Sequence, residues 1–198
     1  MKDLEQERVE REETEYHKKM ESMFTMCKDE IRLAGIIYES LSNGPGLRRV
    51  LFSQGCKHNC EGCFNPHTHP FEGGQLFKIK DIVKDILENP MLRGVTFSGG
   101  DPLEQAEEFA YIAKKVKEAG KDIWVYTGYT YEYIIENRYK RDGFNELLKN
   151  IDVLVDGKFE INKENEKLKF RGSSNQRIID VKKSLEKSEN IILYSVKN

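Results

Sequence analysis

Val50-Leu51-Phe52-Ser53-Gln54-Gly55-Cys56-Lys57-His58-Asn59-Cys60-Glu61-Gly62-Cys63 is an apolar run that delivers three cysteines in the spacing C-x3-C-x2-C. A compact loop of this kind can turn three thiolates toward one point. Thiolates are soft ligands that select zinc, copper(I) or iron-sulfur clusters, and a 4Fe-4S cube is ordinarily held by four cysteines, one for each iron. Three cysteines would leave one iron open to another ligand. The fourth cysteine of the chain, Cys27, lies upstream in a highly charged segment and is the one thiol left to act as a distant ligand. Two other readings stay open from the residues alone. Structural zinc takes four ligands, and His58, His67 or His69 could complete such a set. A disulfide framework suits a small secreted chain, whereas this chain has 4 cysteines in 198 residues and no signal peptide.

Outward from the loop, Leu47 to Gln54 reads as the strand that carries it, with Arg48 and Arg49 on opposite faces and at least one of them a solvated charge. Before it, Ser42-Asn43-Gly44-Pro45-Gly46 is turn chemistry, and Ile31-Arg-Leu-Ala-Gly-Ile-Ile-Tyr38 fits a first strand. After it, Phe64 to Pro70 reads as a loop in which His67 and His69 are surface or hydrogen-bonding residues. Helical spacing at Ile79, Ile82, Val83, Ile86 and Leu87 predicts a helix closed by Asn89-Pro90. Val95 to Ser98 is a short strand running into Gly99-Gly100-Asp101-Pro102, where two glycines let backbone approach a ligand closely. Asp101 as N-cap and Pro102 at the first helical position also begin a helix there, running to Ala119. Ile123 to Tyr126 is a strand in which Trp124 belongs to the core. Helices follow from Tyr131 and over Phe144 to Leu148, then a strand over Ile151 to Val155 that ends at Asp156-Gly157. A carboxylate at a strand's C-terminal end is where α/β enzymes put chemistry, and Asp-Gly is equally a turn. Past Asp180 the pattern fits a helix and a closing strand at Ile191 to Tyr194.

Composition bounds the class. A hydrophobic content of 38% with both charge signs abundant fits one soluble globular unit. A net charge of −2 argues against a dedicated nucleic-acid binder. No apolar run approaches the roughly 18 residues of a membrane span, and reduced cysteines without a targeting segment point to the cytoplasm. Residues 1–30 stand apart, with 10 acidic side chains against 6 basic ones and neither proline nor glycine. They read as a charged helical N-terminal extension, either a plain solvated surface or a partner contact, ahead of a domain over residues 31–198.

The cysteine spacing resembles the signature of the radical S-adenosylmethionine enzymes. Five further segments, in order, make the likeness narrower: Asn43-Gly-Pro-Gly-Leu-Arg-Arg49, Thr96-Phe-Ser-Gly-Gly-Asp-Pro-Leu103, Ile123-Trp-Val-Tyr-Thr-Gly-Tyr129, Val153-Leu-Val-Asp-Gly-Lys-Phe159 and Phe170-Arg-Gly-Ser-Ser-Asn-Gln176. Together they resemble the family that activates anaerobic ribonucleoside-triphosphate reductase, a branch of the glycyl-radical activating enzymes, over residues 31 to 181. The charged extension is a departure from that pattern.

The resemblance implies one 4Fe-4S cluster on Cys56, Cys60 and Cys63, with S-adenosyl-L-methionine on the open iron. It implies cofactor contacts at Gly62, Cys63, Phe64, Gly99, Gly100, Asp101, Thr127 and Asp156, and no catalytic side chain beyond cluster and cofactor. Arg171 and Asn175 bind cofactor or shape a docking surface. The implied activity is reductive cleavage of S-adenosylmethionine to place a glycyl radical on the reductase, and the low potential this needs implies a flavodoxin-like one-electron donor. The alternatives are an activase of another glycyl-radical enzyme and a non-catalytic, metal-stabilised binding module. Alternation of strands and helices implies an α/β fold with a parallel sheet, and the length, short of the roughly 250 residues of a complete eightfold barrel, implies an open partial β/α barrel of the radical SAM type.

Overall fold

A computed structural model describes residues 29–187 and 191–196, together with Thr14. The charged extension, apart from Thr14 and its last two residues, lies outside the described residues, as does Cys27.

Seven strands form one sheet: β1 (Glu30–Ser40), β2 (Arg48–Ser53), β3 (Gln75–Lys78), β4 (Gly94–Gly99), β5 (Asp122–Tyr126), β6 (Val153–Asp156) and β7 (Arg177–Asp180). Among the described residues from 29 onward, five α-helices accompany them: α1 (Ile79–Glu88), α2 (Ala106–Glu118), α3 (Tyr131–Asn137), α4 (Phe144–Asn150) and α5 (Val181–Glu186). The strand order is β3-β1-β2-β4-β5-β6-β7. Strands β2, β4, β5 and β6 run parallel, while β1, β3 and β7 pair antiparallel at the flanks. The class is therefore α/β, as expected, but the sheet is mixed. It is open, with β3 and β7 as its edges, and does not close into a barrel.

Alternation along the strands sorts side chains to two faces. Leu51, Val95, Phe97, Ile123, Val125, Leu154 and Ile179 meet the apolar stripes of the helices, among them Ile82 and Ile86 of α1, Phe109 and Ile112 of α2 and Leu147 of α4. The other face carries Trp124, Val153, Val155 and Ile178, covered by Phe170, Tyr194 and Val196. Trp124 is a core residue, as expected, with the rings of Phe170 and Tyr194 set edge-on to it at 5.5 and 5.3 Å.

Neither arginine of the cysteine-bearing strand is solvated, which corrects the expectation that at least one of them would be. Arg48 has no exposed surface; it donates to Thr96 Oγ1 at 2.7 Å and to the Val95 carbonyl at 2.7 Å, pairs with Asp122, and stands over Trp124. Arg49, on the opposite face, pairs with Asp85 of α1 and stacks on Tyr38 at 4.5 Å. A buried guanidinium is tolerated only with such partners. The Asn43–Arg49 motif thus builds the N-terminal end of the strands, with the Asn43 and Pro45 carbonyls accepting from Thr96 and Arg48. Ile191 to Tyr194 forms no strand: Leu193 makes a single antiparallel bridge to Ile179.

Candidate functional site

Because four strands run parallel, their C-terminal ends lie along one edge, and the loops that leave them meet there. The cysteine loop leaves β2, Gly99-Gly100-Asp101 leaves β4, Thr127-Gly128 leaves β5 and Asp156-Gly157 leaves β6. The Gly100 N–H donates to the Ser53 carbonyl at 2.8 Å, and the Asp101 N–H donates to the Gly55 carbonyl at 2.8 Å. On the other side, the Gly55 and Cys56 amides donate to the Thr68 and His69 carbonyls at 2.8 and 3.0 Å. The cysteine loop is thereby laced to its neighbours at its entry.

The turns inside the loop need left-handed backbone at Asn59 (φ 48°) and Gly62 (φ 70°), a region open to glycine and next most readily to asparagine. All three thiols are free and half-buried. The sulfurs accept backbone hydrogen bonds, Cys56 from the His58 N–H and Cys63 from the Asn65 N–H, each at 3.4 Å. Burial pushes the Cys56 thiol up to about 11 and raises Cys60 as well, so the ligand-free chain holds these groups protonated. Cys56 and Cys60 each feel the next cysteine along the loop electrostatically. Among the described residues no three His, Cys, Asp or Glu side chains are already gathered at metal-holding distance. The donor set suits an iron-sulfur cluster nonetheless: three adjacent thiols on one short loop, with backbone N–H groups aimed at sulfur.

Among the described residues, His58 and His67 are occupied or placed elsewhere. His58 points its Nε2 at Asp101 Oδ2, 2.7 Å away, with its side chain 8% exposed, and His67 is exposed. Phe64 is largely exposed and leans on Phe159, ring centroids 4.8 Å apart. The Phe159 backbone also hydrogen-bonds Cys60, and Ile161 lies where a Cβ on Gly62 would be. The segment after β6 therefore covers the cysteine loop, a contact no sequence signal announces.

Three of the predicted contact residues, Asp101, Asp156 and Thr127, have side chains committed to the protein itself. Asp101 is fully buried and accepts from the Leu103 N–H at 2.9 Å, Thr127 Oγ1 at 2.8 Å, the Gly128 N–H at 3.0 Å and His58. Asp156, also buried, accepts from the Tyr131 N–H at 2.7 Å and from Arg177 Nε at 3.0 Å. Thr127 spends its hydroxyl proton on Asp101. Gly99 (φ 97°) and Gly100 are needed for packing: a Cβ on Gly99 would lie 2.7 Å from Phe52 Cα, and one on Gly100 2.4 Å from the Gly55 carbonyl oxygen. Within the Phe170–Gln176 motif, Gln176 accepts from the Gly172 N–H at 2.9 Å and donates to the Gly157 carbonyl at 3.0 Å, while Asn175 donates to the Lys158 carbonyl at 2.8 Å. The motif folds its own loop.

Sequence reasoning missed Glu104. Its buried carboxylate pairs with Lys57 Nζ at 2.7 Å and Arg141 at 3.6 Å, and accepts from the Tyr129 hydroxyl. Burial works to raise its pKa, but Lys57 and Tyr129, helped by Arg141, outweigh that and hold it below the usual carboxylate range. Tyr129, by burial and by its bond to Glu104, is raised and stays neutral. The signal in the sequence was a carboxylate two residues past Gly-Gly-Asp-Pro, with nothing to name its partners.

No helix among the described residues is long and apolar enough to cross a membrane. Residues 42–179 match the 4Fe-4S single cluster domain, a span that contains every motif above. The chain is 43% identical over 143 residues to the anaerobic ribonucleoside-triphosphate reductase-activating protein of Enterobacteria phage T4, covering 69% of this chain and 85% of that one. It is 40% identical over 144 residues to the protein of that name from Pasteurella multocida (69% and 89%), and 38% identical over 146 residues to that of Escherichia coli K12 (68% and 88%). With relatives this similar over most of their length, and a 4Fe-4S domain spanning the loop and the turns around it, the chain belongs to the family of anaerobic ribonucleoside-triphosphate reductase-activating proteins.

Proposed function

We propose that this chain installs a glycyl radical on an anaerobic ribonucleoside-triphosphate reductase, with one 4Fe-4S cluster on Cys56, Cys60 and Cys63 and S-adenosyl-L-methionine as its cofactors. The supporting observation is the meeting of a three-thiol loop with the Gly99-Gly100 turn at the C-terminal ends of four parallel strands. When bound, the cluster supplies the electron for reductive cleavage of S-adenosylmethionine, and so the radical chemistry that removes a hydrogen atom from a glycine α-carbon of the reductase.

The chain's own residues bind, orient and shield. The three thiols would bind the cluster as thiolates, releasing their protons to solvent, and the N–H groups of His58 and Asn65, which donate to the Cys56 and Cys63 sulfurs, would stabilise the charge there. Gly62, Cys63 and Phe64 border the cofactor with backbone. Gly100, whose N–H is spent on Ser53, would contact the cofactor through the rest of its backbone. Asp101, Thr127 and Asp156 act as the frame behind these contacts. A flavodoxin-like protein supplies the electron, and the reactions run in the cytoplasm.

The test is anaerobic reconstitution with iron and sulfide, followed by reductant, S-adenosylmethionine and the reductase. A glycyl-radical signal by electron paramagnetic resonance is expected. An intact cluster that cleaves the cofactor and leaves the reductase without that signal rejects the substrate assignment. Cys60→Ala is expected to lose both bound iron and cofactor cleavage.

A further inference from the structure

His58 sits between two of the cysteines and is spent on the fold. Its Nε2 lies 2.7 Å from Asp101 Oδ2. Its ring stands edge-on to Tyr129, centroids 4.5 Å apart, and fills the space a Cβ on Gly128 would take, 2.3 Å from its Cδ2. An ionised carboxylate offers roughly four acceptor positions. Asp101 fills them from three segments: Leu103 beyond β4, Thr127 and Gly128 beyond β5, and His58 in the cysteine loop. The residue before His58 is tied down in parallel, Lys57 to the buried Glu104 at 2.7 Å. Both carboxylates stand at the start of one short 3-10 helix, Pro102–Gln105. The span between Cys56 and Cys60 is therefore fastened by two consecutive side chains, of which only His58 is itself buried.

We propose that His58 is a positioning residue whose bond to Asp101 sets the Cys56–Cys60 span against the Gly99-Gly100 turn before any cluster is bound. This rests on the reading of Cys56, Cys60 and Cys63 as cluster ligands. It assigns the Asp101 side chain to the loop and leaves the cofactor the backbone beside it. The physical reason is entropy: a loop that must gather three thiols loses less freedom on loading if two of its side chains are already anchored.

Two variants separate the bond from the packing. His58→Phe keeps a ring against Tyr129 and removes the donor, whereas His58→Gln keeps a donor able to reach Asp101. The first measurement is amide hydrogen exchange in the cluster-free chain. His58→Phe is expected to exchange about tenfold faster over residues 56–63, the scale of one charge-assisted hydrogen bond, with β4 and β5 unchanged and His58→Gln close to wild type. The second is the rate at which a chelator strips iron from the reconstituted protein, expected to rise by a similar factor in His58→Phe and to be rescued in His58→Gln. Should His58→Phe fail to fold, His58→Asn, too short to reach Asp101 through the same atom, takes its place in both comparisons. Wild-type exchange and iron loss in the donor-free variant, or equal loss in His58→Phe and His58→Gln, would overturn the proposal. Retention of iron by Cys60→Ala would instead sink the ligand reading, while the exchange contrast still decides the anchor.

Discussion

Gly100 shows how closely two functional loops approach. An added Cβ would sit 2.4 Å from the Gly55 carbonyl oxygen and 3.0 Å from that of Thr68, both backbone atoms that cannot swing aside. Gly100→Ala is therefore expected to destabilise the cluster-free chain by about 1–3 kcal/mol, read as a lower urea midpoint, and to loosen iron retention. At the same edge Arg177 bridges Glu132 and Asp156. The hydrogen bond from Arg177 lowers Glu132 from 4.5 to about 2. A carboxylate lowered on folding stabilises above its unfolded value and loses that contribution as pH falls through the folded one. The stability gap between wild type and Glu132→Gln should thus be full above pH 4.5 and close as pH falls toward 2; a gap constant over that range would exclude the ion pair as its source. The cysteines were legible because their spacing is local. The partners of Asp101 were not, since His58 lies 43 residues away in sequence and Thr127 lies 26 away. Arg48 and Arg49 misled for a related reason, because their counter-charges Asp122 and Asp85 come from other elements.

Elements with strong internal pattern were readable, and those held by pairing were not. The apolar stripes of α1 and α2 and the branched runs of β4, β5 and β6 place themselves by burial alone. Strand β3, Gln75-Leu-Phe-Lys78, has no buried residue and exists because it pairs with the first four residues of β1. Strand β7 is similarly short and owes its place to β6. The apolar Ile191–Tyr194 run suggested a strand, but its backbone meets β7 at one bridge only. Gln105 shows what side chains add at this level. It accepts from the Arg32 N–H at 2.9 Å and donates to the Arg32 carbonyl at 2.7 Å, imitating a strand's peptide group next to the register shift of β1 against β2. It also donates to the Gln54 carbonyl at 3.0 Å, just before the cysteine loop. Gln105→Ala takes from the part-buried Arg32 N–H its acceptor, while the Arg32 carbonyl keeps the Gln54 N–H; the cost is about 1–3 kcal/mol, and faster amide exchange is expected at Arg32 specifically.

At the scale of the whole molecule, the sheet has a helix-covered face and a second face closed by Phe170, Tyr194 and Val196. The cysteine loop leans on the segment after β6 through Phe64, Phe159 and Ile161. Stripping the cluster with a chelator is therefore expected to raise hydrogen exchange in residues 56–70 and 158–176 together while β4 and β5 keep their protection. Uniform loss of protection would mean that the metal supports the entire fold. The Arg48 knot carries a last consequence. With its guanidinium wedged between Asp122, Thr96 and Trp124, Arg48 commits the far end of the strands to packing, so on the proposed function an electron carrier and the target glycine both come to the one end where the cysteine loop lies. They must take turns at it, and a rising concentration of reductase should slow reduction of the cluster by the carrier.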